Sequence, residues 1–447
     1  MWEKKRKEVR GSVDNNGRAS GSEMSWGARS YYRYRKFIKT LKIYILMAGP
    51  GIIVMVADND AGGITTYSVT GAKYGFSLIW FLILLGPIAY FVQEMTVRLG
   101  AVTKRGHAEA IFDAFGSFWG WFSLSDLALT DWLTLITEFI GMTAALSIFG
   151  VPPVLTVALV SIFMILLVMN GKYWTWEKIV LILCVLNLIY VPAAFLVHPD
   201  VSRVLGGVIP NIPAGPLAAL FFLLMANIGT TIAPWMLFFQ QSSVVDKGMK
   251  EKDIPFGRMD TAMGAILTVV VAIFLIIVTG ALLHNQDIKS AADAAVALQG
   301  IDYWVGTFLA IGLFDAGLLG AIAISLASSW AIGEVFGWAH SLNHKVREAP
   351  WFYIFYFFML ITAGMVVLIS TQATLVTVTL FVQVIAVTLL PAALVFLLLL
   401  LNSEELMGKY KNTRTQNIIG FGIVAMIIAL STMFAVTILF PSLLGGS

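Results

Sequence analysis

Two carboxylates sit in the middle of an apolar stretch, in the run Ala57-Asp58-Asn59-Asp60-Ala61-Gly62-Gly63. Acids at mid-span are expensive in hydrocarbon and mark proton or ion pathways. The residues around them disfavour regular helix. Glycine tolerates unusual backbone angles, and Asn and Asp bond their own backbone. The helix is therefore expected to unwind here, and non-helical backbone at that depth survives only inside protein or along a wet cavity. A second stretch shows the same anomaly, Asn227-Ile228-Gly229-Thr230-Thr231-Ile232-Ala233-Pro234-Trp235. Proline removes a helical N–H and clashes with the preceding turn, which frees carbonyls near Thr230 as ligands. Hard oxygens at two helix breaks are the means to hold a cation. Asp60 also has the type and place of a plain N-cap for a helix beginning at Gly62.

These residues must be positioned by membrane spans. Of 447 residues, 58% are hydrophobic and 12% charged, half the charge of an ordinary soluble domain. Mean hydropathy is +0.84. Apolar stretches long enough to cross a bilayer as helices fall near 43–70, 77–98, 122–148, 153–169, 178–197, 216–241, 261–283, 304–338, 351–370, 373–401 and 417–440. Threading eleven spans from a cytosolic N-terminus puts 26 of the 29 Lys and Arg residues inside, and only Lys73, Arg203 and Lys289 outside. That follows the positive-inside rule and places the C-terminus, Gly445-Gly446-Ser447, outside. Residues 1–40 read as a disordered basic cytosolic tail, not a signal peptide. Its Lys4-Lys5-Arg6-Lys7 cluster reads as a topology signal. The one cysteine, Cys184, lies in an apolar run and says nothing of redox compartment.

The interruptions fall in spans one and six, five apart. This predicts an all-α membrane protein built as an inverted five-plus-five repeat, a LeuT-like architecture, with substrate at the midplane between the breaks. The expected division is 41–200 for the first repeat, 201–402 for the second, and 403–447 for a loop and an eleventh span.

Several stretches resemble the NRAMP family of divalent-metal transporters. Gly49-Pro50-Gly51 is kept ahead of Asp58, which matches the Asp of the family's Asp-Pro-Gly-Asn motif. The runs from Tyr74 to Trp80 and from Arg98 to Thr103 also fit. So do Glu138-Phe139-Ile140-Gly141 and Gln383, eight residues before Pro391. The departures matter more. The motif's Pro, Gly and Asn become Asn59, Asp60 and Ala61. The family's Met-Pro-His on the sixth helix is here Ala233-Pro234-Trp235. The Asp three residues before Glu138 is Leu135, and the ninth span has no arginine. This pattern is similar to the NRAMP-related magnesium transporters.

The resemblance implies metal ligation by Asp58, Asp60, the Thr230 carbonyl and Gln383. Ala61 and Ala233 make room for hydration water, and Asn59, Trp235 and Glu138 surround the site. Thioether sulfur favours soft transition metals, so its loss at 233 leaves hard oxygen donors. Mg²⁺ sheds water reluctantly and is usually held by one or two carboxylates. Trp235 cannot titrate, so transport is expected without obligatory proton coupling. The membrane potential would contribute about 4.6 kcal/mol for two charges per 100 mV. Mg²⁺ is the expected cargo, with Mn²⁺ accepted; neither serves as a cofactor, and none is expected. The expected partners are the metal ion and the bilayer, with no nucleic acid, for a monomer in a prokaryotic plasma membrane.

Rival functions are a proton-coupled Mn²⁺ or Fe²⁺ importer and an organic-cation or amino-acid carrier. An aspartyl protease pairing Asp58 with Asp315 is a third. The chain has no His-Glu-x-x-His zinc motif and no phosphate-binding loop. Glu94 and Arg98 have the spacing of a helical ion pair. His340 and His344 are expected to share one helix face at the inner end of span eight.

Overall fold

The structure is a computed structural model that describes Tyr34 and residues 49–439. The basic tail, residues 43–48 of the first span and the C-terminal Gly-Gly-Ser lie outside the described residues. Residues 49–439 form helices joined by loops, with no strand among them. The first span is two helices, α1 (Pro50–Ala57) and α2 (Ala61–Tyr74). There follow α3 (Ile79–Thr103), α4 (His107–Ser147) and α5 (Pro153–Val168). The fifth span is α6 (Tyr173–Leu186), a 3₁₀ turn at Asn187–Ile189, and α7 (Tyr190–Leu196). A short α8 (Val201–Gly206) leads to α9 (Leu217–Gly229) and α10 (Pro234–Asp246), the two halves of the sixth span. The rest comprises α11 (Ile254–Leu282), α12 (Ala291–Ile301), α13 (Tyr303–Phe336), α14 (Pro350–Ile369), α15 (Gln372–Asn402), α16 (Glu404–Met407) and α17 (Arg414–Leu439).

Among the described residues, eight segments are long and apolar enough to cross a membrane, the interrupted fifth and sixth spans among them. The other three expected spans are the broken α1–α2, the 16-residue α5 and the 41-residue α4. α4 starts at His107, fifteen residues before the expected span, and bends at Gly116, whose φ of 81° only glycine adopts at no cost.

α13 is the central post, buried on nearly every side and packed along α4. Its small residues, such as Gly312, Gly317 and Gly320, let neighbours approach closely. α11 packs on α1, α2 and α3, and α17 lies at the periphery against α15 and α9. The outer helices turn apolar stripes outward: Leu155, Leu159, Ile162 and Leu166 on α5, and Ile354, Phe358, Ile361 and Met365 on α14. Stripes of that length need hydrocarbon around them, and the chain is an integral membrane protein.

Two local expectations have clear outcomes. Glu94 and Arg98 do pair, at 3.2 Å and nearly buried. Arg258 reaches the same carboxylate at 2.7 Å. Arg98 also donates to Tyr410 O and Asn412 Oδ1, both at 2.8 Å, which ties α3 to the loop before α17. His340 and His344 do not share a helix face. α13 stops at Phe336 because Gly337 takes a left-handed φ of 65°, and both histidines lie in the loop beyond.

Candidate functional site

Asp58 is the C-cap of α1 and Asp60 the N-cap of α2, so both acids lie in the unwound link. They differ in their partners. Asp60 Oδ1 accepts from Gly63 N at 2.6 Å, capping α2, which begins at Ala61 rather than Gly62. Glu138 Oε2, from α4, accepts from Ala61 N at 2.9 Å. Asp58 is fully buried, and neither of its carboxylate oxygens has a hydrogen-bond partner.

The sixth-span break lies against this link. Thr230 caps the end of α9, and its hydroxyl donates to Asp58 O at 3.4 Å. Tyr67 Oη donates to Thr230 O and lies 3.4 Å from Thr231 Oγ1. Ala233 is the N-cap of α10, with Pro234 in the first turn. Its N–H donates to Met236 Sδ at 3.2 Å. A thioether is thus present one turn beyond Ala233, with its sulfur engaged at the helix start. Trp235 is buried and its indole N–H unpartnered. Its ring meets Phe239 edge-on at 6.0 Å, and Phe239 lies against Trp330 and Trp176.

Close backbone approach explains the small residues. A Cβ on Gly63 would lie 2.4 Å from Thr230 Oγ1, and one on Gly62 would lie 1.9 Å from Gln383 Nε2. Gln383 of α15 is therefore packed onto the start of α2, with that amide nitrogen unpartnered. A Cβ on Gly320 would lie 2.8 Å from Glu138 Oε2 and 2.9 Å from Asp60 Cβ, so α13 backs both acids. Asn59 Nδ2 donates to Thr268 O at 3.3 Å, which turns Asn59 toward α11.

The structure brings Asp58, Asp60, Ala61, Thr230, Gln383 and Glu138 together around the two breaks. Ala233 and Trp235 follow directly on α10, and Asn59 faces away to α11. Among the described residues, no three His, Cys, Asp or Glu side chains form a group able to hold a metal. An ion at Asp58 must complete its shell with carbonyl, hydroxyl, amide or water oxygens. Sequence reasoning missed Tyr67, Thr231, Gly320 and Asp131. Asp131 is buried on α4, where Ser328 Oγ donates to it at 2.6 Å. It lies seven residues before Glu138, two turns along the same face, so the spacing was a usable signal.

Access differs between the two ends. A cavity of about 80 Å³ is lined by Ala61, Thr65, Gly141, Ser290 and Asp293, among others, and Asp293 is exposed. The other end, rich in Lys and Arg, is latched by α10. Gln241 Oε1 meets His107 Nδ1 at 2.8 Å, Ser242 donates to Glu334 at 2.5 Å, and Ser243 bonds Tyr173 at 2.8 Å. Asp246 accepts from Leu342 N at 2.8 Å and from the Ser341 hydroxyl. The buried pair Lys247–Glu177 closes at 2.8 Å. Asp260 of α11 holds the start of α1 through Gly49 N and Gly51 N, at 3.0 and 2.7 Å.

Known proteins resemble this chain in sequence and in fold. The chain is 25% identical over 395 residues to a divalent metal cation transporter MntH of Deinococcus radiodurans, covering 86% of this chain and 88% of that one. It is 26% identical over 413 residues to a Yersinia pestis protein of the same name, covering 89% and 96%. The crystal structure of an Eremococcus coleocola manganese transporter superposes with a TM-score of 0.73 at 21% identity, over 90% of this chain and 89% of that one. The fold is therefore LeuT-like. The family profile described as Natural resistance-associated macrophage protein-like matches residues 51–437, and the chain belongs to the Nramp family.

Proposed function

We propose that the chain is a secondary transporter of divalent metal ions. It prefers Mg²⁺, also passes Mn²⁺, and works by alternating access without obligatory proton coupling. The observation that carries this reading is Asp58, a fully buried carboxylate between two helix breaks with both oxygens unpartnered. Asp60 is occupied by Gly63 N, and the nearby thioether by Ala233 N. The free donors are hard oxygens, and Ala61 and Ala233 leave space for water. One free carboxylate with retained waters suits Mg²⁺, which dehydrates reluctantly. The names of the MntH relatives support divalent-metal cargo. A transporter, not an enzyme, fits these parts. Asp315 is bonded by Asn187, and no bond joins it to Asp58.

The Lys/Arg-rich end is assigned to the cytosol by the charge rule. The latch of α10 then closes the inner side while the cavity at Ala61 opens outward. The relatives are bacterial, which supports a prokaryotic plasma membrane. Asp60, Thr230 and Gln383 complete the proposed shell, through water where their own bonds hold them.

A proton-coupled reading has one observation in its favour, Asp131, a buried acid two turns from Glu138 with one oxygen unpartnered. Against it, Trp235 carries no titratable group and α14 contains no charged residue. Liposomes holding the purified protein, a Mg²⁺ dye and a pH dye separate the two. With valinomycin setting the potential, the expected result is Mg²⁺ entry without matching acidification, lost in Asp58→Ala. Mn²⁺ entry with acidification, and no Mg²⁺ entry, would refute the proposal.

A further inference from the structure

Asp315 has no role in the site above, yet it is a nearly fully buried acid in the middle of α13. Among the described residues its one hydrogen bond comes from Asn187 Nδ2, at 3.4 Å to Oδ2. No Lys, Arg or His among the described residues forms an ion pair with it. Three oxygens at this point have no hydrogen-bond partner: Asp315 Oδ1, Asn187 Oδ1 and Tyr190 Oη. All three residues are at most 1% exposed. They converge from two elements. Asn187 opens the 3₁₀ turn that interrupts the fifth span, and Tyr190 follows it. The Tyr190 hydroxyl lies over α13, where a Cβ on Gly312 would come within 2.6 Å of it. Gly312 and Asp315 are three residues apart, so they share a face of α13.

A carboxylate in such surroundings is strongly disfavoured unless it takes a proton or a cation accompanies it. Beside it, the orphan Asn187 Oδ1 and the Tyr190 hydroxyl supply neutral oxygen. One negative charge with neutral oxygens balances one positive charge, and a divalent ion would leave an excess in low dielectric.

We propose that Asp315, Asn187 and Tyr190 form a buried site for an alkali-metal cation, Na⁺ first, separate from the Asp58 site. Asp315 stands five residues from Gly320, about 7.5 Å along the helix, and Gly320 backs Asp60 and Glu138. A cation there stiffens the post against which the transported ion is held.

The test is equilibrium binding of radioactive Na⁺ to the purified full-length protein, with K⁺ and Li⁺ as competitors. It needs no transport, so its outcome is independent of the proposed cargo. The expected result is one saturable site per chain, abolished in Asp315→Asn and weakened at least tenfold in Tyr190→Phe. Asp315→Asn should keep the Mg²⁺-induced thermal shift, which shows an intact fold. Absence of saturable Na⁺ binding to the unmodified protein would overturn the proposal. So would unchanged affinity in Tyr190→Phe, the variant that carries the test if Asp315→Asn does not fold.

Discussion

Replacing Asp58 by Asn should stabilise the metal-free protein and remove its response to metal. Asp58 is 0% exposed and neither carboxylate oxygen bonds another protein group. The substitution keeps shape, loses no hydrogen bond and removes a buried charge. An unsatisfied buried polar group costs about 1–3 kcal/mol and a charged one more; the amide stays unsatisfied, so metal-free Asp58→Asn gains the difference between the two. The unmodified protein, with Mg²⁺ at a hundred times its dissociation constant, gains about 2.7 kcal/mol by mass action. Without the carboxylate that gain falls to near zero. Thermal unfolding in detergent, with and without Mg²⁺, reads both arms. The metal-free melting temperature should rise by a few degrees, and the Mg²⁺-dependent increment should vanish. A lowered metal-free melting temperature with the increment intact would show that Asp58 is structural and that the ion binds elsewhere.

Ala233→Met places a second thioether at the break, beside Met236, whose sulfur is engaged by Ala233 N–H. Cd²⁺ and Mn²⁺ uptake should rise relative to Mg²⁺ in liposome competition, because sulfur favours softer ions. Met236→Leu should leave the Mg²⁺-to-Cd²⁺ ratio unchanged; a fall in Cd²⁺ affinity would make Met236 a ligand. Gly320→Ala forces a methyl to 2.8 Å from Glu138 Oε2 and 2.9 Å from Asp60 Cβ. Overpacking of this kind costs about 1–3 kcal/mol, so metal uptake should drop while Asp58 itself is untouched, as initial-rate flux would show.

Much of this was legible because it follows from rules that do not depend on partners. The breaks at Asp58–Asp60 and Thr230–Pro234 announce themselves through acids, glycines and a proline in apolar runs. The ion pair Glu94–Arg98 follows from helical spacing alone. What stayed hidden was set by distant packing. Nothing near Gly320 in sequence reveals that it backs two acids from α2 and α4. The role of Asp260 in holding α1 depends on a separation of about two hundred positions. α12 was missed although Ser290 accepts from Asp293 N as a regular N-cap. Its eleven residues are too short for a span and too apolar for a plain loop. The histidines failed as a pair because one glycine, Gly337, ends α13 before either of them.

The two acids of the broken first span show how one local sequence divides its labour. Both are buried and close, and two free carboxylates would repel in low dielectric. Asp60 is tied to the start of α2 by Gly63 N and stands beside Glu138, which itself bonds Ala61 N. Helix N-termini favour negative charge, so the positive end of α2 absorbs part of what these carboxylates carry. Asp58, at the C-terminal end of α1, meets the opposite sign, because helix C-termini repel anions. No backbone donor compensates it, so it is relieved by a proton or by an arriving cation that displaces that proton. In the proposed transport reading, an ion entering from the side of Ala61 meets at Asp60 a carboxyl whose best oxygen is occupied. It then reaches Asp58, where charge is unspent and the Thr230 hydroxyl and Tyr67 stand close by. The step from one acid to the other moves the ion between the ends of the two half-helices. If Asp60 is the capping acid and Asp58 the binding one, Asp60→Asn should weaken ion affinity modestly and loosen α2. Asp58→Asn should abolish binding and leave α2 intact. Hydrogen exchange at Gly63 separates the two, because faster exchange there in Asp58→Asn than in Asp60→Asn would reverse the assignment.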